Sequence, residues 1–218
     1  MSISEQLTTV AENVPKVYEA GQRDVEKMFT CDGTRYYYAY GFMQQDWSGF
    51  TFSKPLVPSG SVYNMFASYK GEYLPKNVDL SKAAVTGTDA ARLFYYASNL
   101  LEADCMGLKA GAALSSVFRG CEKLKKITGL NSNESNTFSS TFLECYALEE
   151  IEINGVIGTD ISFQDSPLTV ETMTNIMLSL KDYSGSGTTH TLKFEESRLA
   201  MLDDADKVIA TSRGWTLV

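Results

Sequence analysis

The feature that most constrains this chain is that it matches itself with a period of about 24 residues, a length typical of stacked repeat units. The segment Ala113–Cys121 reads Ala-Leu-Ser-Ser-Val-Phe-Arg-Gly-Cys, and Thr137–Cys145 reads Thr-Phe-Ser-Ser-Thr-Phe-Leu-Glu-Cys. Ser-Ser-x-Phe-x-x-Cys is common to both. Leu124 and Ile127 then match Leu148 and Ile151, while Phe94, Ala97, Leu100 and Ala103 fill the same columns one unit earlier. A looser unit opens at Phe66, with Leu74, Val78 and Leu80 as its expected strand after a small insertion.

One such unit cannot bury its own apolar face, so neighbours must stack and share a core. The spacing predicts a short helical turn from each Phe, followed by a strand, Leu124–Leu130 in one unit and Leu148–Ile153 in the next. Phe94, Phe118 and Phe142 would form one internal column. Ala97, Cys121 and Cys145 would form another, where only a small side chain fits. The strands would make a parallel sheet with Glu102, Lys126 and Glu150 in one exposed column, alternating in charge. That column, with Glu149 and Glu152 beside it, reads either as an acidic binding face or as a solvated ladder of surface pairs. The fold class expected is an α/β solenoid with units of about 24 residues and short parallel strands, spanning residues 60–160.

The ends must cap such a stack. Residues 1–29 read as a helix: Ser2 and Glu5 form a capping box, and Ile3, Leu7, Val10, Val14 and Val17 follow at heptad spacing. Pro15 would kink it or restart it after Asn13. The helix serves either as a packed amphipathic cap or as a homo-oligomerising stalk. Residues 30–59 open on an Asp32-Gly33 turn and hold eight of the 25 aromatic residues, Tyr36, Tyr37, Tyr38, Tyr40, Phe42, Trp47, Phe50 and Phe52. Tyr36, Tyr38, Tyr40 and Trp47 are candidate ligand contacts, the alternative being a hydrophobic lid on the first unit.

Residues 161–218 leave the period and are expected to form an α/β cap. A helix starts around Ser166-Pro167-Leu168-Thr169, with Met173, Ile176, Met177 and Leu180 on one face. Thr188–Phe194 alternates like a strand, with His190 exposed on it. Glu195–Leu202 and Asp203–Ser212 read as short helices, with Asp203 as N-cap and Gly214 as the stop. Trp215–Val218 closes as a strand.

Composition narrows the function. A net charge of -8 disfavours nucleic acid and anionic lipid as partners. No apolar stretch approaches a membrane span, and the opening residues carry no signal-peptide pattern, so synthesis and folding in a cytoplasm are expected. Cys31, Cys105, Cys121 and Cys145 include no CxxC pair, and His190 is the sole histidine, so reduced buried thiols are expected and no metal or cofactor. No GxSxG, HExxH, GxxxxGK[ST] or GxGxxG occurs, and Glu102 with Asp104 lies i, i+2 on a strand without a pocket to separate their pKa values. The expectation is a protein without catalytic residues.

The Phe-x-x-Cys-x-x-Leu-x-x-Ile units resemble BspA-type leucine-rich repeats. The opening residues 5–21, Glu-Gln-Leu-Thr-Thr-Val-Ala-Glu-Asn-Val-Pro-Lys-Val-Tyr-Glu-Ala-Gly, and residues 203–217, Asp-Asp-Ala-Asp-Lys-Val-Ile-Ala-Thr-Ser-Arg-Gly-Trp-Thr-Leu, are similar to the ends of leucine-rich-repeat proteins encoded in phages and prophages. The Cys column is incomplete, with Ala97 and Tyr69 in its other places. The resemblance implies a virion structural protein that contacts other virion proteins and a host surface protein or glycan. A BspA-type surface adhesin and an intracellular protein-binding scaffold are the alternatives.

Overall fold

The computed structural model describes residues 29–31 and 36–38 as backbone, and residues 67, 77–81, 90–109 and 113–218 in full. The expected N-terminal helix with Ile3, Leu7, Val10, Val14 and Val17, the Asp32-Gly33 turn, Tyr40, Trp47, Phe66, Tyr69 and Leu74 lie outside the described residues. Phe29 opens a strand, β1 (Phe29–Cys31), which pairs antiparallel with β2 (Tyr36–Tyr38). Tyr36 and Tyr38 therefore sit on a strand.

The architecture is α/β, with parallel strands in two sheets and few helices. The first sheet orders β3 (Asn77–Asp79), β4 (Glu102–Asp104), β5 (Lys126–Ser132) and β6 (Glu150–Gly155), all parallel. Glu102 faces Lys126 and Lys126 faces Glu150, each at the period of the sequence, whereas the step from Asn77 to its partner Glu102 is longer by one. β5 and β6 each start two residues later than the apolar pattern suggests. Leu124 and Leu148 are fully buried, but their amides donate to the Cys121 and Cys145 carbonyls in tight turns, so they close the turn and precede the strand. Register slips between Ile127 and Leu130, where Gly129 adopts φ +65° and the strand bulges.

The turns differ from the helical turn expected. Residues 91–96, 115–120 and 139–144 are hydrogen-bonded turns in which two positions are left-handed. Arg92, Ser116 and Ser140 have φ 58°, 55° and 53°, while Tyr96, Gly120 and Glu144 have φ 55°, 75° and 63°. Their backbones bond across to the next turn instead of along a helix. The amides of Arg92, Phe94 and Tyr96 donate to the carbonyls of Ser115, Val117 and Arg119, and those of Ser116, Phe118 and Gly120 to Ser139, Thr141 and Leu143. Each chain layer is thus bonded to the next on its turn side as well as its strand side. This answers where the backbone groups of a non-helical turn go.

The core is a stack of rings. Phe94, Phe118 and Phe142 lie nearly parallel at centroid distances of 5.4 and 6.1 Å. The stack continues through Phe163 at 4.5 Å and Phe194 at a further 6.1 Å, two rings that the repeat spacing does not include. In the small-residue column, Ala97, Cys121 and Cys145 are fully buried, and the Cys121 and Cys145 thiols donate to the Phe94 and Phe118 carbonyls of the preceding layer.

The second sheet orders β7 (Ile161–Phe163), β8 (His190–Phe194) and β9 (Trp215–Leu217), again parallel. The helix α1 (Val170–Leu178) is capped by Thr169, whose hydroxyl accepts the Thr172 amide, and buries Met173, Ile176 and Met177. Leu180 lies beyond its end, in a bridge to Ile157, because the helix stops at the Ser179 cap. Of the two short C-terminal helices, α2 (Glu196–Leu199) forms a single turn and α3 (Asp204–Thr211) carries an Asp203–Asp206 capping box. Gly214, at φ +81°, follows one further turn and leads into β9.

Candidate functional site

Alternation along β3–β6 separates two faces. Val78, Ala103, Ile127 and Ile151 are buried, so Asn77, Glu102, Lys126 and Glu150 form a row on the open side. Asp79, Asp104 and Thr128 form a second row, in register across β3, β4 and β5, and β6 adds Glu152. Among the described residues, five carboxylates, Asp79, Glu102, Asp104, Glu150 and Glu152, therefore share this face with one ammonium, Lys126.

The charge pairing is one-sided. Lys126 Nζ lies 2.7 Å from Glu150 Oε2, and both side chains are about half exposed. Glu102 acts on Lys126 through its charge alone. The hydrogen bond that Lys126 donates to Glu150 and the charge of Glu150, followed by the charges of Glu102 and Glu152, raise the Lys126 pKa. Asp79 and Asp104 accept the Ser81 and Met106 amides at 2.8 and 2.9 Å, so these carboxylates also close the turns after their strands. On this face Glu102 is exposed and Asp104 half-buried.

Beside β6 the face becomes a trough. Helix α1 rises along it, and the strands and helix enclose an open groove of about 680 Å³. Glu171, Asn175 and Leu178, spaced i, i+4, i+7, line the helix wall. Lys126, Glu150, Glu152 and half-buried Ile153 line the strand side. The helix pattern marked the buried stripe of α1 in the sequence, but nothing there placed its opposite edge against the sheet.

A second cluster, invisible in the sequence, lies on the turn side. The Arg92 and Arg119 guanidinium carbons lie 5.2 and 5.9 Å from the Tyr95 ring centroid, and Tyr95 meets Tyr96 edge-on at 4.5 Å. Arg119 pairs with Glu144 at 3.5 Å. Partial burial, then the adjoining Glu144 carboxylate, raises the Tyr96 pKa. The Tyr96 ring lies over Gly120, where a Cβ would come 2.7 Å from its Cε1. The only sequence signal was a glycine in a column otherwise held by tyrosine and glutamate.

His190 is not exposed as expected. Its side chain is 23% accessible, and Nδ1 lies 3.0 Å from Asp160 Oδ1, which also accepts the Thr191 amide. The imidazole packs against the rings of Tyr183 at 4.8 Å and Trp215 at 5.3 Å, which are themselves 6.2 Å apart, because β8 is the central strand of its sheet. Cys105, Cys121 and Cys145 are buried free thiols whose pKa values burial pushes up. Among the described residues there is no cluster suited to a metal ion, and no helix is long and apolar enough to cross a membrane. Comparison with protein-family models, with curated proteins and with solved structures finds no match.

Proposed function

We propose that this chain is a non-enzymatic leucine-rich-repeat solenoid of the BspA type, a virion-associated protein acting through assembly and host-surface binding. Its partner surface is the open face of β3–β6. The observation that carries the solenoid reading is the regular step between layers. Strands pair one sequence period apart, as Lys126 with Glu150, and turn amides reach carbonyls at a constant step just short of it, as Ser116 to Ser139 and Phe118 to Thr141. A stack built this way needs every layer for its core and leaves one broad sheet face for partners. The virion assignment rests on the likeness of residues 5–21 and 203–217 to the ends of phage-encoded repeat proteins. The burial of the three described thiols favours binding over thiol-based catalysis.

The test is fractionation. Antibody against the recombinant chain is used to probe purified particles, cell wall and cytosol from a bacterial culture in which the encoding prophage is induced. Recovery with the particles, resistant to a salt wash, is the expected result. Recovery in the cell wall without particles favours the adhesin, and recovery in cytosol alone favours the scaffold; either overturns the virion reading.

A further inference from the structure

We propose that the groove between β6 and α1 docks a basic segment of a partner protein, its cationic side chains along Glu150, Glu152 and Glu171 and an aliphatic side chain against Leu178 and Ile153. This inference rests on the sheet face being the partner surface and adds the chemistry of what it takes. The argument is charge complementarity on an unpartnered face. Among the described residues, the open face offers five carboxylates and the helix wall a sixth, Glu171, against the single ammonium of Lys126. That ammonium is committed to Glu150 at 2.7 Å. Glu152 and Glu171 stand in no ion pair with a described residue, so approaching cations meet uncompensated negative charge from two sides of one trough. Such an arrangement steers a basic partner and repels an acidic one.

The groove also has an apolar end, which separates docking from diffuse ion attraction. Leu178 is 53% exposed although it lies on a helix whose other aliphatic residues are largely covered, and half-buried Ile153 lines the same groove. Glu171 and Leu178 are two helical turns apart, so acidic and apolar contacts are about 10 Å apart along the wall. A short segment alternating cationic and aliphatic side chains spans that distance.

The test uses two fluorescein-labelled peptides, Lys-Leu-Lys-Ser-Lys-Leu-Lys and its counterpart with Glu for Lys, followed by anisotropy against the full chain at low and physiological salt. The basic peptide is expected to bind, and E152Q/E171Q to weaken it about tenfold, the factor two exposed charge pairs supply. L178S should weaken it at physiological salt, where the charge contribution is largely screened. The charge-matched control E122Q/E196Q, away from the groove, should leave binding unchanged. Equal weakening by both double variants would overturn the proposal, since the peptide would then be reading net charge. Binding of neither peptide would overturn it too. Binding of the acidic peptide, lost in L178S, would overturn the basic partner while leaving the face as a partner surface.

Discussion

Replacing Gly120 by alanine would place a methyl group where the Tyr96 ring already lies, at a backbone φ of +75°. Two costs follow. An L-residue in the left-handed region loses about 1–2 kcal/mol. Overlap with a packed ring adds about 1–3 kcal/mol, toward the lower end here because Tyr96 is only half-buried and can swing outward. The sum is about 2–4 kcal/mol, and at its midpoint the melting temperature of a chain this size falls by roughly 6–12 °C. The two costs separate in a double-mutant cycle. With Tyr96→Ala already present, Gly120→Ala should cost only the backbone share, about 1–2 kcal/mol. Urea unfolding of all four proteins, with matching slopes, measures this. Equal costs in the two backgrounds would refute the ring contact, and a cost below about 0.5 kcal/mol in the parent would refute the left-handed turn as well.

Phe118→Ala removes the ring stacked between Phe94 and Phe142 and should cost about 3–5 kcal/mol in urea unfolding; unchanged stability would sink the stacked core. Asp203→Ala breaks the capping box of α3 and should cost about 1 kcal/mol, read from the thermal midpoint. With Cys31 changed to serine, the remaining thiols should resist Ellman's reagent at pH 8 until denaturant is added, and fast labelling of the native protein would contradict their burial. Asp182 has its pKa lowered by the Ser184 hydrogen bonds, so its contribution is present above the ordinary value of 3.8 and lost as pH falls through the folded value. Asp182→Asn should therefore narrow the stability difference between pH 6 and pH 3, as followed by circular dichroism.

The sequence period made the ring column, the small-residue column and the facing of Glu102, Lys126 and Glu150 legible, because all three are direct consequences of spacing. The turn geometry was hidden. Arg92, Ser116 and Ser140 carry no preference for positive φ, and at Arg92 and Ser116 that conformation goes with amides reaching the next layer. Leu124 and Leu148 misled the strand boundaries, since a buried leucine closing a turn looks like one opening a strand. Phe163 follows Phe142 at less than a full period and Phe194 follows Phe163 at more than one, so no fixed offset could find them. Asp160 and His190, equally out of phase, meet only because β7 and β8 pair. The groove needed the placement of α1 beside β6, a tertiary fact with no periodic trace.

From β4 to β6 the layers are joined twice, strand to strand where Glu102, Lys126 and Glu150 face one another at the sequence period, and turn to turn at a step just short of it. That makes the molecule a ruler. Insertion of one whole period, in phase, would lengthen the stack by about 4.8 Å, the spacing between paired strands, and leave both ends unaltered. An insertion of another length must be absorbed between strands, as the one extra residue between β3 and β4 is. Height is therefore a property that changes in discrete increments.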